Sequence, residues 1–183
     1  MTGVQTCALP ICEVLPRARV LGTVYVPAEA NMVHQREVLL KFAEAAGYTI
    51  RSIAANTSTE VADAAIALST SRIDAILQIP GNLTVTAFPS IAQAANRARM
   101  PVFVFQSAQL RSGGLLAVSR DYHGCGVESG ALAARVIRGE RPASIPFAEY
   151  APTRLMVNLE VARQIGITVP AAVIERADEV IGR

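Results

Sequence analysis

The chain is predicted to be an α/β protein, a parallel sheet with helices on both faces. Three observations carry that expectation. From Arg19 onward, short apolar runs alternate with helix signals. Their spacing is that of βαβ units, whose right-handed crossovers return each strand parallel to the last. Hydrophobic residues make up 51% of the 183 positions while aromatics make up 5% and Trp is absent. A core of Ala, Val, Ile and Leu suits strands buried on both faces.

The elements follow in order. Val20 to Val26 is the first strand, closed by Pro27. Asn31 to Ala46 carries Val38, Leu39, Phe42 and Ala46 on one helical stripe, and Gly47 is placed to end it. Tyr48 to Ala54 is the second strand. Thr57-Ser-Thr-Glu60 is a capping box, in which hydroxyl and carboxylate satisfy free amides reciprocally. Val61, Ala64, Ala65 and Leu68 continue that helix. Asp74 to Ile79 is the third strand, broken by Pro80-Gly81-Asn82. One helix is then expected to Arg99, since Pro89 is tolerable only in a first turn. Val102 to Phe105 and Leu115 to Val118 are the fourth and fifth strands. Asp121 caps a helix ending at Gly139, with Val127, Ala131, Ala134 and Val136 turned inward. Pro142, Pro146 and Pro152 make 141–153 an extended connector. Leu155 to Val157 is a last strand signal, Asn158 caps a helix that Gly166 ends, Ile167 to Pro170 is extended, and another helix starts at or just after Pro170.

Composition removes several function classes. A formal charge of +2, with Lys41 the single lysine and the arginines scattered, gives no footprint for nucleic acid. No apolar run approaches the roughly 18 residues of a membrane span. Cys7, Cys12 and Cys125 match neither a zinc spacing nor a CxxC pair. His34 and His123 have no Cys, Asp or Glu at metal-ligand spacing, so no metal is expected. Gly124, Gly126 and Gly130 imitate a dinucleotide fingerprint with the third glycine one residue late, and no cofactor is expected. The opening MTGVQTCALPIC lacks the basic start and the small residue that a lipoprotein signal needs. Residues 1–12 are therefore read as a non-native segment lying outside the fold.

Parallel sheets bind ligands in the crevice beyond the carboxyl ends of their strands. The loops at 27–31, 55–58, 80–84, 106–112 and 119–122 are the places to search. The first offers Glu29 and Asn31 where a strand becomes a helix, a position suited to anion capture by free amides or to N-capping. The second offers Thr57 and the third Asn82 and Thr84. Gln106 and Ser107 follow the fourth strand, and Asp121 and Tyr122 the fifth. These nine are the candidate ligand-binding residues, and none is placed as catalytic.

Five segments together resemble one family. They are VYVPAEAN (24–31), DAILQIPGN (74–82), AQAANRARMPVF (92–103), SRDYHGCGVESGALAARVIRGERPASIP (119–146) and the final thirty residues from Arg154. Their order and spacing resemble the substrate-binding proteins of ABC transporters, the group that includes tryptophan and tyrosine binders. The resemblance implies a lobe of the type I periplasmic-binding kind, with a ligand-facing Asn at the position of Asn82. It implies that residues 13–140 are the second of two lobes, including the helix that crosses between them. Residues 141–183 would be a connector, strand and helices returning to a first lobe for which the chain has no room. The implied function is capture of a small organic solute, an amino acid or a related molecule. The implied partners are a permease and an ATPase, and the implied location is periplasmic or lipid-anchored outside the cytoplasm, with any export signal upstream.

One stretch departs from the family's pattern. Its amino-acid binders carry acidic residues after the fourth strand, whereas Phe105-Gln-Ser-Ala-Gln109 has none, which shifts the expected ligand toward a neutral or anionic molecule. Two other functions share the architecture: an enzyme on a doubly wound sheet, and the effector domain of a transcription regulator.

Overall fold

The computed structural model describes residues 10–147 and 153–183. Seven strands form one sheet in the order β2-β1-β3-β4-β5-β6-β7. They are β1 (Val20–Tyr25), β2 (Thr49–Ala54), β3 (Ala75–Leu77), β4 (Val102–Val104), β5 (Leu116–Arg120), β6 (Thr153–Asn158) and β7 (Glu179–Ile181). Strands β1 to β5 pair in parallel. Side chains alternate between faces, so Leu77, Phe103, Leu116 and Val157 enter one core. Ile76, Val102, Val104, Ala117 and Met156 enter the other. Both sets are apolar because both faces are covered.

Residues 10–14 are helical (α1) and share the first core with α2 (Ala30–Ala45), α8 (Leu159–Ile165) and α9 (Ala171–Glu175). The second core lies under α3 (Ser58–Ser69), α5 (Phe88–Arg97) and the short α6 (Ser107–Arg111). The capping box forms: Thr57 Oγ1 accepts from the Glu60 amide at 3.2 Å and Glu60 from the Asn56 amide at 2.7 Å. Gly47 and Gly166 both stand at φ 76°, the left-handed turn that follows a helix and costs glycine little.

Several expectations need correction. The helix expected to run to Arg99 with Pro89 in its first turn is α5, and a separate short helix that was not foreseen, α4 (Asn82–Thr86), precedes it and meets it at Ala87. Pro89 therefore sits in a first turn, where its missing amide costs nothing. The segments α6, β7 and a 3-10 turn at Pro142–Ser144 were not foreseen. Short elements of three to five residues carry too little periodicity to be read.

The start of the chain differs as well. Ile11, placed by the sequence outside the fold, is 2% exposed and belongs to the first core. Pro10 and Ile11 are thus buried while Cys12 is exposed, and the rest of the expectation for 1–12, with Cys7, lies outside the described residues.

The largest correction concerns the C-terminus. Strand β6 and the helices after it were expected to leave for another lobe. Instead β6 pairs antiparallel with β5, Arg120 opposite Thr153, and β7 pairs with β6. Val161, Ala162, Ile165 and Val173 complete the first core. Helix α7 (Tyr122–Ile137), by contrast, has no buried residue. Val127 and Val136, expected to face inward, are 62% and 39% exposed. Chain departs after Arg120 and returns at Thr153, the same end of the sheet, so the returning strand must run antiparallel.

Tyr48, 9% exposed, packs against the first core, and its hydroxyl lies 2.9 Å from the Cys12 sulfur. Burial, with the Cys12 thiol beside it, pushes the Tyr48 phenol up to about 12. The folded state holds this proton more tightly than the unfolded chain does. The resulting stability is complete below the ordinary tyrosine value of about 10 and is lost as pH rises through about 12. Absorbance titration should show one phenol ionising late, and Tyr48→Phe should remove that step. A titration unchanged by the substitution would disprove the assignment.

Candidate functional site

A cavity of about 170 Å³ lies at the carboxyl ends of the parallel strands. Residues 77–80 after β3, Phe105 after β4, and Val118 and Arg120 of β5 form its floor and sides. Gln35 of α2, Tyr122 at the start of α7 and Thr153 at the start of β6 complete it. Strands end here, side by side, and the side chains beyond each last ladder bond have no further strand to cover. The lining divides by chemistry. Leu77, Ile79, Pro80, Phe105 and Val118 are apolar, and among the described residues Arg120 is the one charged member of the lining. Gln78 is 4% exposed, and its Nε2 has no hydrogen-bond partner among the described residues.

Of the nine candidates, Tyr122 alone lines this cavity. Glu29 and Asn31 act one step away, on the loop that forms its wall. The Glu29 carboxylate accepts from the amides of Asn82 at 2.7 Å and Leu83 at 3.0 Å. Asn31 Nδ2 donates to the Pro80 carbonyl at 3.2 Å. The anion expected at a free helix end is therefore the protein's own Glu29, which occupies the start of α4. Gly81 stands beneath, where a Cβ would lie 2.0 Å from Met32 Sδ, so loop and helix α2 are in direct contact.

The remaining candidates stand outside the lining. Thr57 caps α3 beside the edge strand β2. Thr84 is fully buried and donates to the Gly81 carbonyl at 3.3 Å. Asn82 opens α4 exposed to solvent, and its amide is the one that Glu29 holds. Gln106 and Ser107 start α6 outside the lining. Asp121 caps α7, accepting from the Gly124 amide at 3.1 Å. Asn, Asp and Thr at a loop–helix junction carry the same signature in the sequence whether they cap or bind.

Gln78, Arg120, Phe105, Gln35 and Thr153 were missed. Gln78 left a signal: it is the one polar residue in Ala75-Ile-Leu-Gln-Ile79, a run otherwise reserved for apolar side chains. Thr153 left none, since only the antiparallel return of β6 brings it beside Arg120. Among the described residues no group of His, Cys, Asp or Glu is arranged to hold a metal. No described helix is long and apolar enough to cross a membrane.

Comparison with known proteins gives this geometry a context. The profile of the ABC transporter substrate binding protein family matches residues 5–181. A tyrosine-binding protein of Clostridioides difficile (strain R20291) is 28% identical over 143 residues, 78% of this chain and 41% of the relative. The crystal structure of an ABC domain from Streptococcus pneumoniae in complex with L-Trp is similar with a TM-score of 0.84 and 27% identity, over 98% of this chain and 60% of that one. A conserved domain protein of Vibrio cholerae is similar with a TM-score of 0.87 and 30% identity, over the same shares. The chain thus spans well under two thirds of the length of these relatives. Its sheet and helices have the type I periplasmic-binding fold. With all but the first four and last two residues inside the match, the chain belongs to the family of ABC transporter substrate-binding proteins.

Proposed function

We propose that the chain forms one wall of a two-lobe solute site and captures a small organic molecule, an amino acid or a relative of one, for an ABC importer. The observation that carries this reading is the cavity at the strand ends, from whose rim α7 departs with no residue buried. A helix of sixteen residues that exposes Val127, Leu132, Val136 and Ile137 needs a covering surface. The length of the relatives beyond this chain is enough to supply one. Residues 122–147 are then the excursion into the other lobe, and β6 to β7 stay with the second lobe. Closure of the lobes as hinged bodies would trap the solute, and release would pass it to a permease and its ATPase. The chain does no covalent chemistry in this reading, and it works outside the cytoplasm, in the periplasm or held by a lipid anchor.

The names of the relatives support an aromatic amino acid as the first ligand to test. Phe105 and Tyr122 offer ring surfaces of the right kind in the cavity. Nitrogen-15 NMR titration of the chain with L-tyrosine and L-tryptophan is the direct test. Saturable shifts are expected at residues 77–80, 105 and 118–122, with dissociation constants on the order of millimolar. Shifts confined to other surfaces, or none with either amino acid, would overturn the proposal.

A further inference from the structure

We propose that the pole of the sheet opposite the cavity is a docking surface for a membrane bearing anionic lipids, built from arginines that the fold gathers. Strands β1, β3 and β4 are neighbours and run in parallel, so the segments leading into them emerge at the same end. Those segments are 15–19, 70–74 and 97–101. They carry Arg17, Arg19, Arg72, Arg97 and Arg99, all exposed, and a single carboxylate, Asp74. Five cations against one acid exceed the formal charge of the whole chain, +2, so the rest of the molecule is acidic on balance. Along the sequence these arginines form no block, and only the sheet brings them to one end.

Local structure does not neutralise these charges. Among the described residues none of the five is paired with a carboxylate side chain. Asp74 is turned to the backbone, its Oδ2 accepting from the amides of Arg19 at 2.7 Å and Val20 at 2.8 Å. Arg19 donates to the Ala18 carbonyl at 2.6 Å, which leaves its charge in place. A helix C-terminus accounts for Arg97, in the last turn of α5. Arg17, Arg19, Arg72 and Arg99 lie in connecting segments. Arg99 stands at φ 55°, a left-handed turn that Gly or Asn adopts at lower cost, so the fold does not require arginine there.

The partner follows from chemistry and breadth. Guanidinium groups donate in pairs to phosphate oxygens. These come from three adjacent segments and spread across the end of the sheet, which matches an extended array of phosphates and not one small anion. A binding protein that serves an importer works beside a membrane, whose headgroups present such an array, and clustered arginines close to an anionic bilayer are drawn to it. The choice of partner rests on that proposed function. The cavity lies at the other end of the strands, so it stays open to solute while this pole is held.

Co-sedimentation of the 183-residue chain with lipid vesicles at low salt is the test. Vesicles of phosphatidylcholine and phosphatidylglycerol in equal parts should bind at least tenfold more tightly than phosphatidylcholine alone, and the difference should vanish at about 1 M salt, where charges are screened. Arg17→Gln, Arg72→Gln and Arg99→Asn combined should abolish the preference without lowering stability, since all three side chains are exposed. Arg138→Gln, Arg141→Gln and Arg154→Gln combined remove the same charge from exposed positions elsewhere and should keep it.

Equal binding to the two kinds of vesicle would overturn the proposal. Equal loss in the two triple variants would do the same, because it would assign the effect to net charge. Displacement by inorganic phosphate, where chloride at the same ionic strength displaces nothing, would make this pole a site for a single anion and not for a membrane. Each of these results leaves solute capture standing, since that reading is tested by amino-acid titration at the other pole.

Discussion

Joining this chain to a first lobe is expected to tighten solute binding by about a thousandfold over the chain alone. The reasoning is a matter of shared contacts. A ligand held at micromolar affinity has about −8 kcal/mol of binding free energy, and one held at millimolar affinity about −4 kcal/mol. If two facing walls contribute comparably, one wall retains about half of the free energy and therefore falls from the first value to the second. The cavity described here is small, about 170 Å³, and drug-sized sites run to roughly 300–1,000 Å³, so a second wall has volume to add. A chimaera carrying the first lobe of a solved relative, titrated with L-tyrosine and L-tryptophan beside the chain itself, measures the difference. Equal affinities would mean that the chain's own cavity is the complete site. The same comparison reports on α7. Its exposed apolar side chains should make the isolated chain self-associate at high concentration, and covering them should abolish that.

Replacing Asn158 by Ala should cost the fold about 2–4 kcal/mol, through loss of a cap and of a buried hydrogen bond. Asn158 is 4% exposed and joins three segments. Its Oδ1 accepts from the amides of Glu160 at 3.0 Å and Val161 at 3.1 Å, which caps α8. Its Nδ2 donates to the Leu110 carbonyl at 3.1 Å, which ties α6 to the end of β6. Alanine leaves the Val161 amide and the Leu110 carbonyl unpaired in the interior and the Glu160 amide unpaired at its margin. Asn158→Asp separates the two roles. It keeps the cap but turns an oxygen toward the Leu110 carbonyl, so it should be no more stable than Asn158→Ala despite the better capping residue. Urea denaturation followed by circular dichroism measures both. A loss below about 1 kcal/mol for the alanine variant would mean that Asn158 does no more than cap a helix.

The inner strands of the sheet were legible because burial on both faces demands apolar runs, and Val20–Tyr25 and Val102–Val104 lie where those runs are. Helix caps were legible for a similar reason. Thr57, Asp121 and Asn158 satisfy amides within three residues of themselves, so the contact is local and the sequence contains all of it. The same locality leaves a cap and a ligand contact alike in the sequence, since both draw on the same residue types.

What the sequence by itself determined was therefore the fold class and, through the spacing of five segments, the family. The tertiary structure decided which side of the molecule each element serves. Nothing local tells β6 to pair antiparallel with β5, nor α7 to leave the sheet while α8 joins it. Both helices are apolar enough to be core, and the choice depends on which surface the chain meets on its return at Thr153. Leu77, Phe105 and Arg120 lie far apart in the chain, and the cavity they line exists only because β3, β4 and β5 end side by side. Contacts between distant segments form because closing the chain brings buried surfaces together, and that is a property of the folded whole.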